Sequence, residues 1–265
     1  MTTAILIDLD GTVYRGSEMI EGADRFIRTL KKRSIPYLFV TNNSSRTPEA
    51  VAEHLQNIGI ECEAGEVCTT AQAAAHYAVE HELGSRAFVI GEEGLRQALS
   101  SACIDTVDDQ PDFVIQGIDR AFDYEKLRKA VHFISEGCPY VLTNPDLKLP
   151  SEKGFLPGAG AIAAAIQAAS QAEPILIGKP SPVIMRYAIK KLGFAAKDVW
   201  VVGDGVRTDI AAGQAVGSRS ALVLTGVTTK ENFEQECALA NVRPDIVCET
   251  LGSVIKHIFP KTSQT

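Results

Sequence analysis

The stretch Ile5-Leu6-Ile7-Asp8-Leu9-Asp10-Gly11-Thr12 sets how the rest of the chain is read. A short, β-branched apolar run reads as a buried strand. Residues i and i+2 of a strand point the same way, so a strand that persists through Asp10 presents two carboxylates together. Two such groups repel unless a cation or a shared proton relieves them. The combination suits phosphoryl transfer: one carboxylate can attack phosphorus, a hard cation can bridge it to the phosphate, and the second can move a proton. An ordinary acidic turn carries the same residues. A calcium loop does not fit, because an EF-hand needs glycine at its sixth position and glutamate at its twelfth, and here the glycine comes too early.

Working outward, the same local pattern recurs. Apolar residues Ala23, Phe26, Ile27 and Leu30 have helical spacing within Gly22 to Lys32. Pro36-Tyr37-Leu38-Phe39-Val40 reads as a second strand and runs into Thr41-Asn42-Asn43-Ser44-Ser45-Arg46. Thr47-Pro48-Glu49 then opens a helix, threonine as N-cap and proline in the first turn, that stops at Gly59. A polar small-residue loop between a strand and a helix offers N–H groups and hydroxyls to an anion, and is equally a plain surface turn. Asp198-Val199-Trp200-Val201-Val202 is the clearest strand; Gly203-Asp204-Gly205-Val206-Arg207-Thr208-Asp209 follows it, then a helix to about Val216. Ile175-Leu176-Ile177 reads as a strand returning to this first unit and ends at Gly178-Lys179-Pro180-Ser181-Pro182, with Ser181 as the expected N-cap. Strands at 221–224 and 245–247 complete the sheet, and the tail from Pro260 reads as frayed.

Between the second and third of these loops the texture changes. Glu66 to Thr70 reads as a short strand, an alanine-rich helix follows to about His81, and Gly84-Ser85-Arg86 reads as a linker. Short apolar runs at 87–91, 113–117 and 140–143 alternate with helical patterns at 94–100 and 124–134. This is a separate small α/β unit, which places a core in 1–82 and 175–265 and an insert in 83–174. Thr143-Asn144-Pro145-Asp146 is its most polar loop. Gly158-Ala159-Gly160 superficially matches a dinucleotide fingerprint, but no buried strand precedes it and no acid sits at a strand end about 20 residues on. Those glycines read as close packing at a helix start.

The chain has 265 residues, with 45% hydrophobic and 22% charged, enough for one large or two modest globular domains. A net charge of −7 argues against a nucleic-acid partner. The six cysteines form no C-x-x-C pair and read as reduced thiols, and the histidines do not cluster as a zinc site would need. The start lacks a signal core and no apolar run reaches membrane length, so no membrane partner and a cytoplasmic location are expected.

Asp8 and Asp10, Thr41, Lys179 and Asp204 all follow an apolar strand and precede a loop or helix. In an open parallel sheet such loops line one crevice, so an α/β fold with a parallel sheet would gather them at one edge. Asp209 by itself could be an acid favoured by a helix N-terminus.

At this point the sequence resembles the haloacid dehalogenase superfamily of aspartate-nucleophile phosphatases, in its NagD-like branch. Asp8-Leu9-Asp10-Gly11-Thr12-Val13-Tyr14 matches the first motif, Thr41-Asn42-Asn43-Ser44 the second, Gly178-Lys179-Pro180 the third, and Gly203-Asp204 with Thr208-Asp209 the fourth. The resemblance implies a Rossmann-like core with an inserted α/β cap that carries substrate specificity. It implies hydrolysis of small phosphate monoesters, such as sugar phosphates, nucleoside monophosphates and, in vitro, p-nitrophenyl phosphate. Asp8 would be the nucleophile and Asp10 the acid/base. Mg²⁺ would be held by the Asp8 carboxylate, the Asp10 backbone carbonyl and Asp204, with Asp209 behind them. Thr41 and the Asn42 N–H would hold the phosphoryl oxygens, beside Asn43, and Lys179 would offset charge. Asn144 and Asp146 are the candidate substrate-facing residues of the insert. A homodimer through the cap rests on the resemblance alone. The competing readings are a phosphotransferase or mutase using the same aspartyl-phosphate, and a receiver-like signalling domain, which is usually much shorter and has no cap.

Overall fold

The computed structural model describes residues 3–151 and 154–259; the tail expected to fray lies outside them. The chain forms two compact units. One takes the residues up to Thr41, Ala52–Val67 and the residues from Lys179 on; the other takes Asn42–Val51 and Cys68–Gly178. The second unit is therefore larger than the 83–174 insert read from sequence. It gains the loop after Thr41 and the helix Thr70–Glu80, which packs on the helix Glu93–Ser101.

In the first unit sheet strands run side by side in the order Ile246–Cys248, Arg219–Val223, Val199–Gly203, Ala4–Ile7, Tyr37–Thr41. Ala4–Ile7 pairs in parallel on both sides, with Leu6 opposite Leu38 and Val201. All four of its residues are buried, which is why the run is continuously apolar rather than alternating. The ladder extends one bond further, from the Asp8 N–H to the Val202 carbonyl at 2.8 Å. There the strand stops. The N–H groups of Thr12, Val13 and Tyr14 turn back onto the Leu9 carbonyl at 3.2, 2.8 and 3.2 Å. The condition for presenting both carboxylates together, a strand running through Asp10, is not met: Asp8 is buried, whereas Asp10 stands on the turn and is exposed.

The expected helices are Ala23–Lys32, which buries Ala23, Phe26, Ile27 and Leu30, and Pro48–Asn57. The helix after Lys179 is Val183–Leu192; it begins beyond Pro182, and Ser181 only accepts the Val183 N–H at 3.4 Å instead of serving as its N-cap. The segment after Asp204 enters its helix, Ala211–Ala215, through a π-helical turn at Val206–Ile210. Two helices, Phe233–Ala240 and Leu251–Ile258, were not read from sequence.

The second unit holds a five-stranded sheet in the order Ile175–Leu176, Tyr140–Leu142, Phe113–Gln116, Arg86–Ile90, Asp105–Thr106, with parallel pairing throughout. Ile175–Leu176 therefore belongs here and not to the first sheet, a second correction. Its continuation is tied to the same neighbour, Ile177 N–H to Leu142 O at 3.0 Å and Gly178 N–H to Thr143 O at 2.8 Å. Phe88, Ile90, Val114, Phe133, Tyr140 and Ile166 form its core. Gly158 and Gly160 open the helix Ala159–Ser170 against the Pro145–Asp146 turn: added Cβ atoms would lie 2.1 Å from the Asp146 carbonyl oxygen and 2.2 Å from that of Pro145. Close packing accounts for both glycines. A two-stranded hairpin, Lys148–Ser151 with Gly154–Pro157, was not anticipated. No helix among the described residues is long and apolar enough to cross a membrane, and all six cysteines are free thiols.

Candidate active site

Asp8 and Asp204 stand immediately after neighbouring central strands, and Thr41 ends the strand on the other side of Ala4–Ile7. Lys179 breaks the expected pattern, since the strand before it belongs to the second sheet. It nevertheless lies with the core residues. Its ammonium donates to the Asp8 carboxylate, to Asp209 Oδ1 at 2.6 Å and to the Val40 carbonyl at 3.3 Å, and it is only 3% exposed.

The acids close the arrangement. Asp8, Asp204 and Asp209 are all buried and bring carboxylate oxygens within 4.8 Å of one another. Asp209 Oδ2 accepts from the Gly205 N–H at 3.1 Å and from the Thr208 hydroxyl at 3.2 Å, so both of its oxygens have protein donors. Asp209 thus ties Lys179 to the Asp204 loop. Asp10 is not a member of this cluster; its Oδ2 accepts from the Tyr14 hydroxyl at 3.2 Å at the exposed turn.

Two parts of the site were missed in the sequence. Thr12 Oγ1 lies 3.3 Å from both Asp8 Oδ2 and Asp204 Oδ1, so one hydroxyl spans the two carboxylates. The loop Thr225–Thr228 wraps Asp204: the Val227 N–H donates to Oδ2 at 2.6 Å and the Thr228 N–H to the Asp204 carbonyl at 3.2 Å. A Cβ on Gly226 would lie 1.8 Å from Asp204 Oδ2, so only glycine lets this loop approach. Gly11, at φ +83°, meets the same carboxylate, with an added Cβ 2.5 Å from Asp204 Oδ2. A strand, Arg219–Val223, followed by small residues at 225–228 was the available sequence signal.

Three carboxylates and one ammonium leave a net charge of −2 when all are ionised. Burial, reinforced by Asp209, raises the Asp8 carboxyl well above the ordinary carboxylate range, the Lys179 ammonium only partly offsetting it. Burial and Asp209 also push Asp204 up to about 6. Burial works against the Lys179 ammonium, but Asp209 and Asp8 outweigh it and its pKa moves up. Crowded carboxylates whose charge is held back by burial fit a hard divalent cation, which prefers oxygen donors.

The remaining candidates gather in the second unit. Asn42 Nδ2 donates to Asp146 Oδ2 at 3.4 Å, and Asn144 Nδ2 donates to the Asn42 carbonyl at 2.9 Å. Asn43 Oδ1 accepts from the N–H groups of Ser45 and Arg46, each at 2.9 Å, an Asx-type turn. Asn42, Asn144 and Asp146 are brought together by these bonds, and Asn43 shapes the loop beside Asn42. Asn144, expected to face substrate, is 5% exposed and spends its amide on the loop.

A parallel α/β sheet with buried acids and a buried lysine at its carboxyl edge defines the class, an enzyme site for an anionic group. Comparison with known proteins narrows it. A family model for haloacid dehalogenase-like hydrolases matches residues 5–104, and a second, HAD-hydrolase-like, matches 176–254. An acid sugar phosphatase from Staphylococcus saprophyticus is 41% identical over 96% of this chain and 97% of its own length. The 5'-nucleotidase YutF of Bacillus subtilis is 42% identical over 87% of this chain and 90% of its own. The solved structure of a p-nitrophenyl phosphatase from Archaeoglobus fulgidus superposes with a TM-score of 0.91 at 36% identity, covering 97% of this chain and 99% of that one. The chain belongs to the haloacid dehalogenase-like hydrolases, and within them to the NagD-like phosphatases.

Proposed function

We propose that this chain hydrolyses small phosphate monoesters, sugar phosphates and nucleoside monophosphates among them, through an aspartyl-phosphate formed on Asp8, in the cytoplasm. The observation that carries the reading is the buried Asp8–Lys179–Asp209–Asp204 cluster. In the first step an Asp8 oxygen bonds to phosphorus while the bond to the leaving oxygen breaks, and Asp10 gives that oxygen its proton. In the second, Asp10 takes a proton from water, the water oxygen bonds to phosphorus, and the Asp8–phosphorus bond breaks to release phosphate. The exposed position of Asp10 on the turn, outside the acid cluster, suits a group that must meet both leaving group and water. Lys179 holds Asp8 oriented and partly offsets the burial that disfavours its ionised form, and Thr41 with the Asn42 N–H binds phosphoryl oxygens. Asp8, Asp204 and the Asp10 carbonyl would hold Mg²⁺, with Asp209 orienting the set; the bound ion supplies charge stabilisation for the phosphoryl group.

The relatives' names, acid sugar phosphatase and 5'-nucleotidase, support the substrate classes. The test is phosphate release from p-nitrophenyl phosphate, a sugar phosphate and a nucleoside monophosphate, with Mg²⁺ and with chelator, for the native chain and Asp8→Asn. Metal-dependent release that Asp8→Asn abolishes is expected. Transfer of phosphate to a second substrate in place of release would instead favour the phosphotransferase or mutase reading.

A further inference from the structure

We propose that Thr70 and Asn144 are positioning residues that fix the loop following Thr41, and so set the rate of phosphoryl transfer without touching substrate. The inference rests on the phosphatase reading. Its observation is a doubly occupied carbonyl: the Asn42 C=O accepts the Thr70 hydroxyl at 2.8 Å and the Asn144 amide at 2.9 Å. A carbonyl oxygen has two lone pairs, and both are used.

Both donors are rigidly mounted. Thr70 is the first residue of the helix Thr70–Glu80, whose start is locked by a capping box: Gln72 N–H to Thr69 Oγ1 at 3.2 Å and Thr69 N–H to Gln72 Oε1 at 3.1 Å. Asn144 follows the strand Tyr140–Leu142 by two residues, and its neighbour Thr143 donates its hydroxyl to Ser44 Oγ at 3.1 Å. The peptide unit is planar, so holding the Asn42 carbonyl fixes the whole Asn42–Asn43 plane, and with Thr41 anchored in its strand it fixes Asn42 from both sides. Gly178 is seated in the same place. Its N–H reaches the Thr143 carbonyl, and a Cβ there would lie 2.5 Å from that oxygen, 2.7 Å from Asn42 Oδ1 and 2.8 Å from Thr70 Cγ2. The cluster therefore lies one peptide bond along the chain from Thr41 and one from Lys179. The Thr70 hydroxyl and the Asn144 amide are both given to the Asn42 carbonyl, which makes the loop the route of their effect.

The experiment compares native chain, Thr70→Val, Thr70→Ser, Asn144→Ala and Thr70→Val/Asn144→Ala on three substrates, p-nitrophenyl phosphate, a sugar phosphate and a nucleoside monophosphate, at saturating Mg²⁺. Misplacing a binding loop costs rate steeply. Thr70→Val and Asn144→Ala are expected to lower kcat roughly 10- to 100-fold, by a common factor across the substrates, with KM little changed. Thr70→Ser, which keeps the hydroxyl, should retain most of the rate. The double variant should lose less than the product of the single losses, because both act on one carbonyl. Native kcat in both single variants overturns the proposal, as does a changed substrate ranking in Asn144→Ala, which would place that amide on the substrate. If Thr70→Val does not fold, Asn144→Ala decides alone, and native kcat in it overturns the proposal. A native chain that releases no phosphate overturns the phosphatase reading and this inference with it, whereas an active native chain with unaffected variants overturns this inference alone.

Discussion

Lys179 meets two of three buried carboxylates, and nothing else in the cluster carries positive charge. Removing it leaves charges that burial already disfavours, and breaking a buried pair from one side costs about 3–5 kcal/mol. Lys179→Ala should therefore lower both the melting temperature and kcat, the latter by about 10²–10³, as for loss of one oxyanion donor. Near-native turnover on p-nitrophenyl phosphate would sink the role given to Lys179. Gly226 makes a sharper case because it has no charge at all. An added methyl would lie 1.8 Å from Asp204 Oδ2, so Gly226→Ala must push away either the loop or the carboxylate. The Mg²⁺ concentration needed for half-maximal activity is expected to rise at least tenfold, about 1.4 kcal/mol or more; an unchanged metal titration would show that Asp204 does not need the loop's close approach.

At the scale of elements, strands that are buried on both faces were legible because their sequence is continuously apolar, as in Ala4–Ile7 and Val199–Gly203. Their ends were legible as well, since Asp8, Thr41 and Asp204 cannot continue a buried ladder without a purpose. What was hidden depends on pairing, which one-dimensional patterns do not carry. Ile175–Leu176 has only two residues, and which sheet it joins is decided by the Leu142 and Thr143 carbonyls. Thr12 and the Thr225–Thr228 loop look like ordinary polar turns until Asp204 is placed between them. Asn144 read from sequence as a candidate substrate-facing residue of a polar loop; the bond of its amide to a backbone carbonyl about a hundred residues away was not legible there. The central strand also bears a direct test. Leu6 is fully buried between Leu38 and Val201, so Leu6→Ala should cost about 2–5 kcal/mol in denaturant unfolding. Tyr124, 80% exposed, should change stability by less than about 0.5 kcal/mol when truncated. Equal midpoints for the two variants would contradict the assignment of Ala4–Ile7 to the centre of the core.

For the whole molecule, the acid cluster makes stability depend on pH and on metal in opposite senses. The carboxyls of Asp8 and Asp204 hold protons more tightly in the metal-free fold than in the unfolded chain, Asp204 with a pKa of about 6. Between the ordinary carboxylate value near 4 and about 6 the folded state thus binds more protons, and stability falls as pH rises through that window. In chelator, the melting temperature should therefore rise on acidification from about pH 7 to about pH 5, and this rise should shrink in Asp204→Asn, which removes one of the titrating groups. A divalent cation needs the ionised carboxylates, so it stabilises by mass action most where they have lost their protons. The gain in melting temperature on adding Mg²⁺ should be larger at pH 7 than at pH 5 and smaller still in Asp204→Asn. Equal gains at the two pH values would mean that the ion is held by groups other than these buried acids, and the proposed metal assignment would fall while the fold and the lysine contacts stood.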